Sequence, residues 1–336
     1  MAIRVAHIGT GNVGRIALCE LIENPGFELT GLCVSADEKV GKDAGELAGL
    51  DVKTGILATK DLDAVLATEP ECAVYCAMGD TRMPEAMEDV RKILAAGINV
   101  VGSSPGLLQY PRGGVMPDKY IQRVEDAARQ GNSSLFISGV DPGFVNDLIP
   151  LALASTCQRI EQVRCMEIHD YASYDGAEVM HYMGFCPLHG RDPDAAAARS
   201  TQHRLGGHGD PAAGRRPGHR GRRDHRVVPT RTRARGFRHR GRSCRQGHPG
   251  RPAVRDPRNG QRPPPRDRHR AHHPVAPPDL RPDLPQPAAG GGSYRIEITG
   301  EPSYAVDIVP SSSRGDHNQA AIAGAAGRIV NAIPPR

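Results

Sequence analysis

What the sequence lacks narrows the possibilities first. No apolar run approaches the ~18 residues of a membrane-spanning helix. No charged-then-apolar leader precedes the first apolar stretch. A cytoplasmic protein with no membrane partner is therefore expected. The eight cysteines show no metal-ligand spacing: Cys72 and Cys76 are separated by three residues in an apolar run, and the rest are scattered. Buried, reduced thiols are expected, with no metal site and no disulfide framework. Residues 191–290 lack lysine and glutamate altogether, and Phe237 is their one aromatic residue.

That last absence exposes an uneven chain. The formal charge of the 336 residues is +5. Residues 191–290 hold 24 Arg against 8 Asp, a charge of +16, while the remainder carries 19 basic and 30 acidic side chains, or −11. The length suggests about two domains, and the average charge describes neither part of the chain.

What is present is clearest at the start. Ile3, Val5 and Ile8 form a short strand pattern. Gly9, Gly11 and Gly14 follow in G-x-G-x-x-G spacing, and Ile16, Ala17 and Leu18 open a helix. Gly9 permits the tight turn, Gly11 lets a pyrophosphate approach the backbone, and Gly14 lets the helix pack on the sheet. The helix start offers N–H groups to the phosphate. The stretch Gly9-Thr10-Gly11-Asn12-Val13-Gly14 is thus the candidate dinucleotide site. A second strand, Phe27 to Val34, ends at Ser35-Ala36-Asp37, with Lys39 and Lys42 beyond. An NAD site usually places an acid at this strand end; Ser35 with Lys39 nearby suits a 2′-phosphate better. NADP is expected, with NAD left open by Asp37.

Strands and helices then alternate. Ala73 to Met78 is a continuous apolar run, as in a parallel strand covered on both faces. Its carboxyl end makes Ala77, Met78 and Gly79 candidates to line the nicotinamide. Helical spacing covers 84–96 and 121–130, with strands at 98–102 and 135–138, and Pro142 is placed to start a further helix. The fold class expected is α/β: a Rossmann-type doubly wound parallel sheet over 1–150, followed by a smaller α+β domain. The amino-terminal domain, whose strands and glycines are all local, is expected to fold with or without the middle of the chain.

From Ile160 the pattern alternates. Glu167, His169 and Tyr171 fall on one face of the strand 162–171 and are the candidate catalytic residues, with histidine suited to proton donation near neutral pH. A partly exposed histidine beside solvated carboxylates is the open alternative. Residues 294–299 and 304–309 read as a hairpin, and 319–333 as an Ala-rich helix with Ile322, Ala326, Ile329 and Val330 inward.

The glycine stretch, the Gly102-Ser103-Ser104 turn, the Gly139-to-Asp147 loop and Glu167-Ile168-His169 together resemble dihydrodipicolinate reductase. They are closer to its divergent relatives, such as 2,4-diaminopentanoate dehydrogenase. The resemblance covers residues 1–185 and returns near 290. It implies a nucleotide-binding domain, a second domain supplying substrate and subunit contacts (hence room for a homo-oligomer), and hydride transfer to or from a C=N, C=C or amine substrate. Dihydrodipicolinate reductases carry Glu-x-His-His-x-x-Lys followed by a Ser-Gly-Thr-Ala turn. Here Glu167 and His169 match, Asp170 and Ser173 replace the second His and the Lys, and the turn is absent. The departures favour an amine, imine or related substrate over the dicarboxylate.

Residues 186–290 fit none of this. Only eight of the hundred residues 191–290 are large apolar or aromatic, too few for a core. Three readings compete. A disordered basic arm for nucleic acid suits the arginines, but the missing lysines and aromatics count against a nucleic-acid partner. A linker of this length is unusual inside a domain. The third is a frameshift. Asp and His codons end in AY, so before Arg or Pro codons starting with C they read AYC, which is Ile or Thr, one base along. Asp267, His269, His272 and His273 then each give Ile or Thr, a better strand than the written residues. A frameshift opening near Cys186 and closing near 285–290 is expected. Residues 151–185 would begin the second domain and 291–336 complete it. Such a chain could retain nucleotide binding with its activity lost.

Overall fold

The structure, a computed structural model, describes residues 1–79, 81–112, 116–176, 180, 238–239, 242–243, 270–274 and 285–333. Most of 186–290, including Cys186, lies outside the described residues, and so does the expectation of disorder there. Two compact units are present: Met1–Ile149 with Gln319–Arg336, and Pro150–Asn318.

The first unit is built on a six-stranded parallel sheet. Its strands are β1 (Ile3–Ile8), β2 (Phe27–Cys33), β3 (Ala58–Thr59), β4 (Cys72–Tyr75), β5 (Asn99–Gly102) and β6 (Leu135–Ile137), in the order β3-β2-β1-β4-β5-β6. Every pairing is parallel. This is the Rossmann-type order, in which the chain leaves β1 to one side and crosses back to β4. The gap between the carboxyl ends of β1 and β4 is the topological switch point. Alternate residues of the central strands feed two cores. On one face Ala6, Ile8, Ala73 and Tyr75 pack with Val90, Ile93 and Leu94 of α4 (Met83–Ala95) and Ile121 and Val124 of α5 (Asp118–Gly131). On the other, Val5, Val74 and Val101 pack with Ala17 and Leu21 of α1 (Asn12–Glu23). Two short helices, α2 (Ala44–Ala48) and α3 (Leu62–Leu66), lie in the β2-to-β4 connection, each started by an aspartate side chain, Asp43 and Asp61, that accepts a backbone N–H. The sheet thus follows from continuous apolar strands that need cover on both sides.

Three expectations are corrected. The helix expected to begin at Pro142 begins at Phe144 as a π-helical turn, Phe144–Leu148, and continues as α6 (Ile149–Ala154). Gly143 has φ +130°, and a Cβ there would lie 2.4 Å from the Gly139 nitrogen, so the chain is turning sharply where the helix was expected. The carboxyl-terminal helix, α7 (His317–Val330), does not complete the second unit. From Gln319 onward the chain belongs to the first. Its Ala326, Ile329 and Val330 join the Val5–Val74–Val101 core, while Ile322 is half-buried. The amino-terminal domain is therefore not closed by local residues alone, because the last helix supplies part of its core. Each buried Ile or Val of α7 contributes about 1.5–3 kcal/mol.

The second unit is a four-stranded sheet. Its strands are β7 (Arg159–His169), β10 (Arg270–Pro274), β11 (Gly292–Glu301) and β12 (Tyr304–Ile308), in the order β10-β7-β11-β12. β11 runs antiparallel to both β7 and β12. β10 runs parallel to β7, pairing Arg270 with Cys165 and Pro274 with His169. A separate ribbon, β8 (Arg238–His239) with β9 (Arg242–Ser243), is antiparallel.

Candidate functional site

The glycine turn sits at the end of β1, and each glycine is there for a different reason. Gly9 adopts φ +92°, and a Cβ on it would lie 2.5 Å from the Ala77 nitrogen. A Cβ on Gly14 would lie 2.1 Å from the Gly9 carbonyl oxygen. Gly11 differs: among the described residues nothing lies within 4 Å of its Cβ position. Gly11 is also the N-cap of α1 and has no side chain to offer the helix start. Packing explains two of the glycines and leaves the third facing open space.

Two side chains reach into this turn. Lys39 donates to both the carbonyl and the hydroxyl of Thr10, each at 3.0 Å. It thereby brings a cation from beyond β2 to the glycine loop. Lys42 goes elsewhere, to Glu46 at 3.2 Å. Asp37 pairs with Lys60 and is 91% exposed. Ser35 is exposed just past β2. The second side chain was not singled out from the sequence. His7, fully buried in β1, donates from Nε2 to the Gly9 carbonyl at 2.8 Å. Burial pushes its pKa down to about 4, against the Gly9 and Gly14 backbone, which pulls it up. A single histidine in a mostly apolar strand carries no motif, so its position two residues before the glycine is the one signal that could have drawn attention.

The candidates at the end of β4 are brought to the same place. Ala77 is buried against Gly9, and Met78 is 37% exposed. Gly79 lies against Ser104 and Pro105, where a Cβ would stand 2.2 Å from the Ser104 hydroxyl. The thiol of Cys76 is pushed by burial up to about 12. That of Cys72 is likewise raised to about 12 and that of Cys33 to about 11, so these are protonated packing groups.

The catalytic candidates lie in the second unit, at the carboxyl end of β7. Glu167, His169 and Tyr171 are all buried, at 9%, 1% and 7% exposure. His169 is enclosed by rings, with centroids of Tyr294 at 4.7 Å, His317 at 5.3 Å and Tyr171 at 6.1 Å. A Cβ on Gly292 would lie 2.9 Å from the His169 ring. The partly exposed histidine considered as an alternative is not what the fold builds. The backbone beside it is held firmly. The Asp170 N–H donates to Gly291 at 2.8 Å. Its carbonyl accepts from His317 Nε2 at 2.7 Å and from Asn318 Nδ2 at 2.8 Å. Asn318 also donates to Ser173, which donates to Asp316. His317 and Asn318 stand almost 150 positions from Asp170, so no local pattern announces them. Among the described residues no cluster of three or more His, Cys, Asp or Glu could hold a metal ion. Among them also no helix is long and apolar enough to cross a membrane.

Residues 3–109 match the family described as dihydrodipicolinate reductase, N-terminus. An amine dehydrogenase of Streptomyces virginiae is 42% identical over 175 residues, 52% of this chain and 48% of that protein. A 4-hydroxy-tetrahydrodipicolinate reductase of Trichormus variabilis is 28% identical over 169 residues, 49% of this chain and 57% of that protein. The chain thus spans about half the length of the curated relatives it matches. The solved amine dehydrogenase of Mycobacterium smegmatis has a similar fold, with TM-score 0.58 at 19% identity over 100% of this chain and 94% of that one. The glycine turn, the strand order and these matches together make residues 3–109 similar to the amino-terminal part of dihydrodipicolinate reductases, within a chain whose fold is like that of the solved amine dehydrogenase.

Proposed function

We propose that the protein is an NADP-dependent oxidoreductase acting on an amine or imine. The observation that carries the nucleotide part is Gly11. Its neighbours Gly9 and Gly14 are glycine because the protein's own atoms crowd them, whereas the space beside Gly11 is open and leaves room for a ligand to approach the backbone. Thr10, Gly11 and the start of α1 would hold the pyrophosphate through backbone N–H groups. Ser35 and Lys39 would face the ribose end. Lys39 supports NADP over NAD, since the one nearby acid at the end of β2 with a partner, Asp37, is turned to Lys60. Ala77, Met78 and Gly79 would border the nicotinamide. Bound there, the cofactor supplies or accepts a hydride.

The chain's own residues would handle the proton. Glu167, His169 and Tyr171 gather on one strand end, shielded from water by Tyr294 and His317, and histidine is the group of choice for proton transfer near neutral pH. An amine or imine substrate is supported by the identity to the Streptomyces amine dehydrogenase and by Asp170 and Ser173 standing where a dicarboxylate reductase has cations. Fluorescence titration with NADPH and NADH tests the reading. NADPH should bind more tightly, and binding of neither would reject it.

We also infer that residues 186–290 come from a coding region read out of frame, so that nucleotide binding persists while activity is reduced or lost. The composition supports this, and so does β10. The strand paired with β7 falls at Arg270–Pro274, where the shifted frame replaces His272 and His273 by Ile or Thr. The coding DNA tests it: stop codons in the alternative frame would end the idea.

A further inference from the structure

We infer that His7 is a positioning residue that aims the glycine turn at the cofactor's pyrophosphate. The inference deepens the nucleotide reading above and rests on it. The peptide joining Gly9 to Thr10 is a plane whose C=O and N–H point in opposite directions. His7 Nε2 holds the Gly9 carbonyl inward at 2.8 Å. The Thr10 N–H must therefore point away from the strand. The next plane is fixed in the same manner. Lys39 holds the Thr10 carbonyl at 3.0 Å, so the Gly11 N–H points away from Lys39. Neither the Thr10 nor the Gly11 N–H has a hydrogen-bond partner among the described residues. Two successive N–H groups oriented by side chains behind them form a concave site for an anion.

The surroundings of His7 fit this role. The carbonyl it grips is the atom that a Cβ on Gly14 would strike, so His7, the Gly9 carbonyl and Gly14 form one packed unit. The imidazole is fully buried, and its Nδ1 has no hydrogen-bond partner among the described residues. Because the acceptor is a carbonyl, the proton must sit on Nε2. No charged form is needed, and the low pKa is consistent with a neutral donor at working pH. A leucine or phenylalanine would fill the same volume, so burial alone does not call for histidine here.

The test compares His7→Leu, which keeps bulk without a donor, with His7→Gln, whose amide N–H can stand in for Nε2–H. NADPH affinity is read by fluorescence titration. Adenosine 2′-monophosphate, which lacks the pyrophosphate, is read by competition. His7→Leu should weaken NADPH binding by about tenfold or more. It should leave the adenosine monophosphate unchanged, and His7→Gln should restore NADPH binding. Equal NADPH affinity in His7→Leu and wild type, or a matching loss for both ligands, would overturn the inference and leave the nucleotide reading standing. Wild type that binds no NADPH would overturn both. Should His7→Leu fail to fold, His7→Gln is compared with His7→Asn, whose shorter amide cannot reach the Gly9 carbonyl. Gln should then bind NADPH more tightly than Asn, and equal affinity would sink the role.

Discussion

The ends of β1 and β7 carry the two halves of the proposed chemistry, and they are built in opposite ways. β1 ends in a bare turn: glycines, outward N–H groups, and the side chains of His7 and Lys39 bonded to the backbone from behind. β7 ends in a crowd of rings and side chains, with Asp170 bonded at its N–H, its carbonyl and its carboxylate. A site made of backbone can be assembled from a few neighbouring residues. A site made of buried side chains depends on distant residues arriving in register, here from β11 and the start of α7. Damage to the middle of the chain therefore threatens the second site far more than the first.

The largest effect should come from filling the bare turn. In Gly14→Val the new Cβ would meet the Gly9 oxygen at 2.1 Å. NADPH affinity should fall on the order of a hundredfold, with about 1–3 kcal/mol of stability lost to overpacking. Gly11→Ala sharpens the contrast. With open space around it, thermal stability should hold while NADPH titration shows weaker binding; unchanged binding would erase the difference between the glycines.

Acid should weaken the first unit in a defined window. The folded pKa of His7 is about 4, below its ordinary value of 6.5. Between those values the unfolded chain takes up a proton that the folded one refuses. Stability is therefore full above pH 6.5 and falls as pH drops toward 4, by about 3 kcal/mol in all. Amide exchange of β1 followed across that range should show the loss, and His7→Leu should flatten it.

In the second unit, Asn318→Leu removes donors from both the Asp170 carbonyl and Ser173. It should cost about 1–3 kcal/mol, seen as faster amide exchange at Asp170 and Ala172 with β1 unaffected. Exchange rising equally at β1 would mean the two strand ends are not independent. The smallest effect is reserved for Tyr75→Phe. It breaks the 2.8 Å bond from the buried hydroxyl to Asp89 and should lower the first unit's melting stability by about 1 kcal/mol.

The sheet of the first unit was legible because apolar runs, glycine spacing and helix periodicity are all local signals. Caps are local too: Asp61, a residue type suited to a helix start, accepts the Ala64 N–H. What could not be read was partnership. The periodicity of 319–333 shows which face is buried but not what it is buried against, and it is the fold that joins α7 from Gln319 to the first unit. Glu167, His169 and Tyr171 were placed on one face, but their ring enclosure depends on Tyr294 and His317, far along the chain. His7 was hidden because one histidine in an apolar strand has no spacing to match.

The membership of α7 bears on how the molecule is made. Val5, Val74 and Val101 are synthesised more than two hundred residues before the residues that help roof them, Ala326, Ile329 and Val330. The core they share is complete only when both sets of residues are present. Until they arrive, the part of that apolar face which α7 covers stays open to water and to other chains.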